Sequence, residues 1–72
     1  MKISIEYCAQ WNYKPLALRA RDKIKEHLKT DINLIASTGG VFEITVDDNL
    51  VFSKKKEGRF PTDSELIELV QN

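Results

Sequence analysis

The hydrophobic period changes twice between Met1 and Ser37, and no other feature restricts the fold of this chain as strongly. Lys2 to Tyr7 alternates. Ile3, Ile5 and Tyr7 point one way and Lys2, Ser4 and Glu6 the other, the period-two pattern of a half-buried strand. From Pro15 to about Lys29 the spacing becomes three and four residues. Ala17, Ala20, Ile24 and Leu28 form a stripe with Leu16 and Leu18 at its edges, and Arg19, Lys23, Lys25 and Glu26 occupy the outer face. Thr30-Asp31 breaks the helical pattern, and Ile32 to Ser37 reads as a second strand. Ile32, Leu34 and Ala36 share one face of it. Ile35 on the other face predicts burial on both sides, as for a strand inside a sheet. Strand, helix and strand in this order predict a right-handed βαβ unit with parallel strands.

Only Thr38-Gly39-Gly40 separates this unit from the next alternating run. Paired glycines make a turn, because they reach backbone angles that other residues avoid. They leave no room for a second helix, which excludes a split ferredoxin-type arrangement. Val41 to Val46 reads as strand three, Asp47-Asp48-Asn49 as a tight turn and Leu50 to Lys54 as strand four, together an antiparallel hairpin. Lys54 to Arg59 reads as a basic loop containing Gly58. After Pro61, Thr62 and Glu65 have capping-box spacing, with Thr62 as N-cap, and Leu66, Ile67, Leu69 and Val70 supply the buried face of a last helix. The predicted order is β-α-β-β-β-α. It is an α/β fold in which two parallel strands and an antiparallel hairpin make a four-stranded mixed sheet, with two helices as covers. That is the reduced thioredoxin plan, read as one domain over residues 1–72.

Composition narrows the function classes. Hydrophobic content of 42% and charged content of 31% are those of a folding chain. Eleven basic and eleven acidic side chains cancel, which argues against nucleic acid, whose phosphate backbone calls for a positive excess. No apolar run approaches the roughly 20 residues of a membrane span, and the alternating start does not read as a signal peptide. One cysteine allows no internal disulfide and points to a reducing compartment. The expectation is a cytoplasmic protein that engages no membrane.

That cysteine, Cys8, falls at the junction of the first strand and the first helix. In α/β folds this is where a strand holds a reactive group rigidly and a helix can turn its N-terminal amides toward it. Six residues lie between Cys8 and Pro15, so Cys8 meets the helix dipole only if the loop folds back. A thiolate is the nucleophile, and an ordinary thiol with a pKa near 8.5 is only slightly ionised at neutral pH. Loop amides, a helix N-terminus or a cation would raise that fraction. Lys14 is the nearest cation in sequence; Arg59 and Lys54 to Lys56 can approach only through the fold. The alternative for Cys8 is a small buried hydrophobe. His27 has no partner at metal-ligand spacing, so no metal site is expected. No paired carboxylates, Ser-His-Asp set or phosphate-binding glycine loop points to hydrolysis or nucleotide chemistry.

Tyr7-Cys8-x-x-Trp11-x-Tyr13-Lys14-Pro15 resembles the redox loop of the selenoprotein W-like (Rdx) family of thioredoxin-like proteins. Gly40-x-Phe42-Glu43-Ile44 is similar to its third strand. Phe52-Ser53-Lys54-Lys55-Lys56, followed by Gly58-x-Phe60-Pro61, is similar to its fourth strand and the loop beyond. The match follows nearly the whole chain in order. Members carry Cys-x-x-Cys or Cys-x-x-selenocysteine, and only the first position carries over, onto Cys8; Trp11 stands at the second. The resemblance implies thiol-redox work, often linked to glutathione.

An indole cannot close a disulfide onto Cys8, so the implied cycle is monothiol. Cys8 forms a mixed disulfide, with glutathione or a protein thiol, and an external thiol releases it. Glutathione would be a co-substrate, and no resident cofactor is expected. Ala9, Gln10, Trp11, Tyr13, Thr38, Gly39 and Phe60 are the expected loop and substrate contacts. Thioredoxin-like proteins usually present a cis-proline before strand three; here Thr38-Gly39-Gly40 stands there, offering backbone groups to an extended partner or serving only as a turn. Trp11 equally suits packing of the loop against the helix. The basic run from Lys54 reads as a solvated loop. The competing function is a non-catalytic module in which Trp11, Tyr13 and Phe60 form an exposed aromatic patch that holds a protein partner at the Cys8–Trp11 loop.

Overall fold

The computed structural model describes residues 1–71. Four strands and three helices follow in the order β1 (Ile3–Cys8), α1 (Lys14–His27), β2 (Ile32–Ser37), β3 (Phe42–Val46), β4 (Asn49–Ser53), α2 (Lys54–Glu57) and α3 (Asp63–Val70). The sheet order is β2-β1-β3-β4. β1 runs parallel to β2, from Ile3 opposite Ile32 to Cys8 opposite Ser37. It runs antiparallel to β3, with Ile5 opposite Ile44 and Tyr7 opposite Phe42. β3 and β4 close the hairpin. This is the thioredoxin-like α/β plan with its mixed four-stranded sheet.

The alternation in β1 does what its period dictates. Ile3, Ile5 and Tyr7 are buried, and they meet Ala17, Ala20 and Ile24 of α1, Phe42 and Ile44 of β3, Phe52 of β4 and Leu66 and Val70 of α3 in one core. Small alanines at two stripe positions let α1 lie close to the sheet. At α3, Thr62 Oγ1 accepts from the Glu65 amide at 3.2 Å and the Glu65 carboxylate accepts from the Thr62 amide at 2.9 Å, so the capping box forms as its spacing requires. Asp47 and Asp48 both adopt positive φ, 50° and 69°, as a two-residue hairpin turn demands.

Three expectations are corrected. β2 is an edge strand, not an interior one, because β3 pairs with the far side of β1; Ile35, opposite Glu6 on the sheet face away from the core, is 47% exposed. The basic segment is not a loop throughout. Lys54–Glu57 makes one helical turn, which Gly58 ends at φ +76° with its amide bonded to the Lys54 carbonyl at 2.7 Å. The helices therefore number three among the described residues, not two. Helix α1 starts at Lys14, with Pro15 inside its first turn, and stops at His27 because Leu28 turns extended and folds inward against the core.

The strand order has one consequence for the site. β2 and β3 flank β1, and only Thr38–Val41 joins them. This short connection must straddle the carboxyl end of β1, where Cys8 stands.

Candidate functional site

Cys8 is the last residue of the central strand, and its backbone is held from both sides. Its amide donates to the Val41 carbonyl at 2.8 Å, and its carbonyl accepts from the Tyr13 amide at 3.2 Å. The next amide, Ala9, donates to the Ser37 carbonyl at 3.0 Å. The loop thus folds back, bringing the first residues of α1 to the thiol's own peptide; Asn12 completes the reversal at φ +60°. The straddling connection closes over the strand end, and Cys8 is fully buried at 0% exposure.

The loop residues divide around that buried thiol. Ala9 and Gln10 are exposed, as are Thr38 and Gly39 in the neighbouring turn, and Trp11 is 60% exposed. The Trp11 ring lies flush on Gly40. A β-carbon at Gly40 would stand 2.3 Å from Trp11 Cζ3 and 2.7 Å from Cε3, and Gly40 has φ +72°. Backbone angle and space both require glycine there. From Trp11 an edge-to-face series of rings runs inward. Trp11 and Tyr13 have centroids 6.2 Å apart, Tyr13 and Phe60 4.9 Å, and Phe60 and Phe42 5.2 Å. Phe42 is buried, so the series ties an exposed loop to the core. The structure brings Trp11, Tyr13 and Phe60 together, but not as the exposed patch expected: Trp11 alone is exposed, and Tyr13 and Phe60 are half-buried against the core.

It also adds residues that the reading left out. Helix α2 places Lys54 Nζ 5.8 Å from the Tyr13 centroid and 5.4 Å from that of Phe60, within cation–π range. Lys55 Nζ reaches 3.8 Å from where a Gly39 β-carbon would stand. Gly40 is the third addition. The glycine pair signalled a turn, but no local pattern could reveal that an indole rests on it. Arg59 takes a different part. It forms a bidentate pair with Glu65, both contacts at 2.6 Å, beside the Phe52 ring. The Arg59 hydrogen bond, helped by the Thr62 amide, holds the Glu65 carboxyl down at about 2, and the same pair raises the guanidinium. Arg59 thus anchors α3 instead of facing the thiol.

A hollow of ≈ 520 Å³ on the outer side of α1, lined by Leu18, Arg19, Asp22, Lys23 and Asp63 among others, includes none of these loop residues. Among the described residues no three His, Cys, Asp or Glu side chains converge on a metal-ion position, and no helix is long and apolar enough to cross a membrane.

Comparison with known proteins gives consistent relatives. The model of the Rdx family matches residues 2–72. Migration and invasion enhancer 1 of Bos taurus is 32% identical over 99% of this chain, which spans 63% of that relative's length. Selenoprotein W of Mus musculus is 29% identical over 97% of this chain and 85% of its own. A solved selenoprotein W-related protein from Vibrio cholerae superposes with a TM-score of 0.83 at 29% identity, covering 96% of this chain and 90% of its own. A Bordetella parapertussis protein superposes at 0.91 with 25% identity, covering 96% and 91%. Family model, relatives and solved folds converge on one assignment: the chain belongs to the Rdx family, among selenoprotein W-like proteins of thioredoxin-like fold.

Proposed function

We propose that this chain is a thiol-redox protein in which Cys8 works as a single nucleophile behind a loop that must open. One observation carries the reading. Cys8 ends the central strand with its peptide pinned to Ser37 of β2, to Val41 just before β3 and to Tyr13 at the N-cap of α1, while the sequence holds no second cysteine. In the opened state the Cys8 thiolate attacks one sulfur of oxidised glutathione. The Cys8–sulfur bond forms, the glutathione disulfide breaks, and one glutathione thiolate leaves and takes up a proton. A second thiolate, from glutathione or a protein, then attacks the mixed disulfide and restores Cys8. Electrons balance at each exchange, and Trp11 makes an external resolving thiol obligatory. The contact that must loosen is the indole on Gly40, because it rests on the connection that closes over Cys8. Mass measurement of the native chain after oxidised glutathione is the test. A single glutathione adduct is expected, and a chain left unmodified while folded refutes the reading.

A second reading, a non-catalytic module that holds a protein partner on its aromatic loop, is favoured by a different observation: Cys8 is 0% exposed and Trp11 60%. The pH dependence of native Cys8 alkylation separates the two. A midpoint well below the ordinary thiol value of about 8.5 supports redox work. Slow labelling with an ordinary or raised midpoint supports the module.

A further inference from the structure

The two edges of the sheet are not built alike. An edge strand leaves alternate backbone amides and carbonyls unpaired and invites another strand, so proteins interrupt such edges with charge, proline or a bulge. β4 is interrupted. Its pairing with β3 slips between Ile44 and Thr45, and the chain turns straight into α2, whose Lys56 and Glu57 line one hollow with Leu50 and Phe52 of the strand. β2 is not. Ile32–Ser37 is uncharged, has no proline and pairs with β1 in unbroken register. One bond shows which of its groups are free. The Ser37 carbonyl accepts from the Ala9 amide, so Ser37, and by alternation Ile35 and Asn33, turn their amides and carbonyls toward β1. Ile32, Leu34 and Ala36 turn theirs outward.

Charge decides what fits there. Ala17, Ala20 and Ile24 face the core, while the Arg19–Asp63 pair and the His27–Gln71 contact mark the flank of α1 turned to α3. At about 3.6 residues per turn, the opposite flank carries Lys14, Arg21 and Lys25. α1 packs on β1 and β2, so this flank overlooks the free edge. Arg21 shares Asp22 in an exposed pair, which binds weakly and leaves the cation open to another anion. Asp31, just ahead of β2, continues the alternation onto the other face with Asn33 and Ile35. Arg21 and Lys25 stand about 6 Å apart along the helix axis, close to the ~6.8 Å between alternate residues of a strand.

We propose that the free edge of β2 binds an extended acidic segment of a partner protein by strand addition, its acidic side chains lying under Lys14, Arg21 and Lys25. Main-chain bonds supply affinity, and alternate side chains supply selectivity. Residues of the added strand that bond to Ile32, Leu34 and Ala36 fall on the α1 side. Those between them fall beside exposed Ile35, so the fitting sequence alternates acidic with apolar residues. A second copy does not suit this edge. Outward-facing residues bond only to each other, so two β2 strands would meet with both α1 helices on one side and their basic flanks face to face. The inference needs no thiol chemistry and stands whether or not Cys8 exchanges.

The probe is the synthetic peptide acetyl-Glu-Val-Glu-Val-Glu-Val-Glu-amide, titrated into the isotope-labelled full chain and followed by amide shifts and hydrogen exchange. Slowed exchange at the Ile32, Leu34 and Ala36 amides is expected, with Asn33, Ile35 and Ser37 little changed. Affinity should fall as salt is raised. The same peptide with Lys for Glu should not bind. Arg21→Glu/Lys25→Glu, confined to the helix surface, should bind the acidic peptide about tenfold more weakly and accept the basic one. N-methylation of the peptide's Glu amides removes the donors toward β2, leaves the protein unaltered and should abolish binding. Equal binding of acidic and basic peptides, binding that survives N-methylation, shifts centred away from β2 and α1, or no shifts at millimolar peptide would each overturn the proposal. So would concentration-dependent protection of Ile32, Leu34 and Ala36 in the chain alone, which would assign the edge to a second copy.

Discussion

The Trp11 indole occupies the space that a β-carbon on Gly40 would need, 2.3 Å from that position at its nearest ring atom. A residue from the loop after β1 and a residue from the turn before β3 are thereby fitted to each other directly over the end of the central strand. The two loops can part only if this contact breaks, which makes it the physical link between the packing of the loop and access to Cys8.

Gly40→Ala should therefore cost more than Gly39→Ala. Both positions have positive φ, +72° and +78°, and an alanine at either carries backbone strain of about 1–2 kcal/mol. Only Gly40 adds a clash with the indole; at Gly39 the nearest atom is the movable Lys55 Nζ. Denaturant unfolding should show the larger loss at Gly40. In a Trp11→Ala background the two substitutions should become equal, and a persisting difference would mean the clash is not its source.

Trp11→Ala should speed alkylation of native Cys8 by roughly tenfold, equivalent to about 1.4 kcal/mol in the opening equilibrium. The core does not depend on this exposed ring, so global stability should change far less than access. Unchanged labelling would show that the Thr38–Val41 connection alone controls entry.

The Arg59–Glu65 pair predicts an acid limb in stability. The folded state holds Glu65 at about 2, below its ordinary 4.5, so its contribution is present above the ordinary value and is lost as pH falls toward the lower one. Melting temperatures of the native chain and of Glu65→Gln should differ at neutral pH and converge across that interval. Thr62→Ala, which removes the N-cap oxygen, should cost about 1 kcal/mol at every pH above it.

Ile5→Ala and Ile35→Thr test which face of the sheet is covered. Ile5 is fully buried, and its truncation should cost about 2–5 kcal/mol. Ile35, though equally apolar, lies 47% exposed on the edge strand, and its replacement should stay within about 0.5 kcal/mol. A large loss at Ile35 in equilibrium unfolding would contradict an uncovered outer face of the sheet.

Much of the candidate site was legible in the chain as written. The change of period placed Cys8 at a strand-to-helix junction, and the loop motif set Trp11 and Tyr13 beside it. The roles of Lys54, Lys55 and Gly40 were not legible. Each depends on a contact between segments far apart in sequence, and a lysine run with no visible partner reads as a solvated one. The pattern leaves Cys8 open between reactive thiol and buried hydrophobe, since a strand's last residue is open or covered according to what crosses beyond it.

What the sequence alone determined is local: alternation for the strands, a three-and-four stripe for α1, the Thr62–Glu65 cap for α3, a turn wherever Gly-Gly or Asp-Asp required positive φ. These follow from interactions within a few residues, which the chain carries wherever it is placed. Tertiary structure decided the order β2-β1-β3-β4, and with it the sealing of Cys8 and the meeting of α2 with the aromatic loop; it also left the sheet face that carries Ile35 uncovered. Which edge of β1 receives β3 is a choice between long-range pairings that the hydrophobic pattern of neither strand distinguishes, because it sets which face is buried and not which neighbour lies alongside.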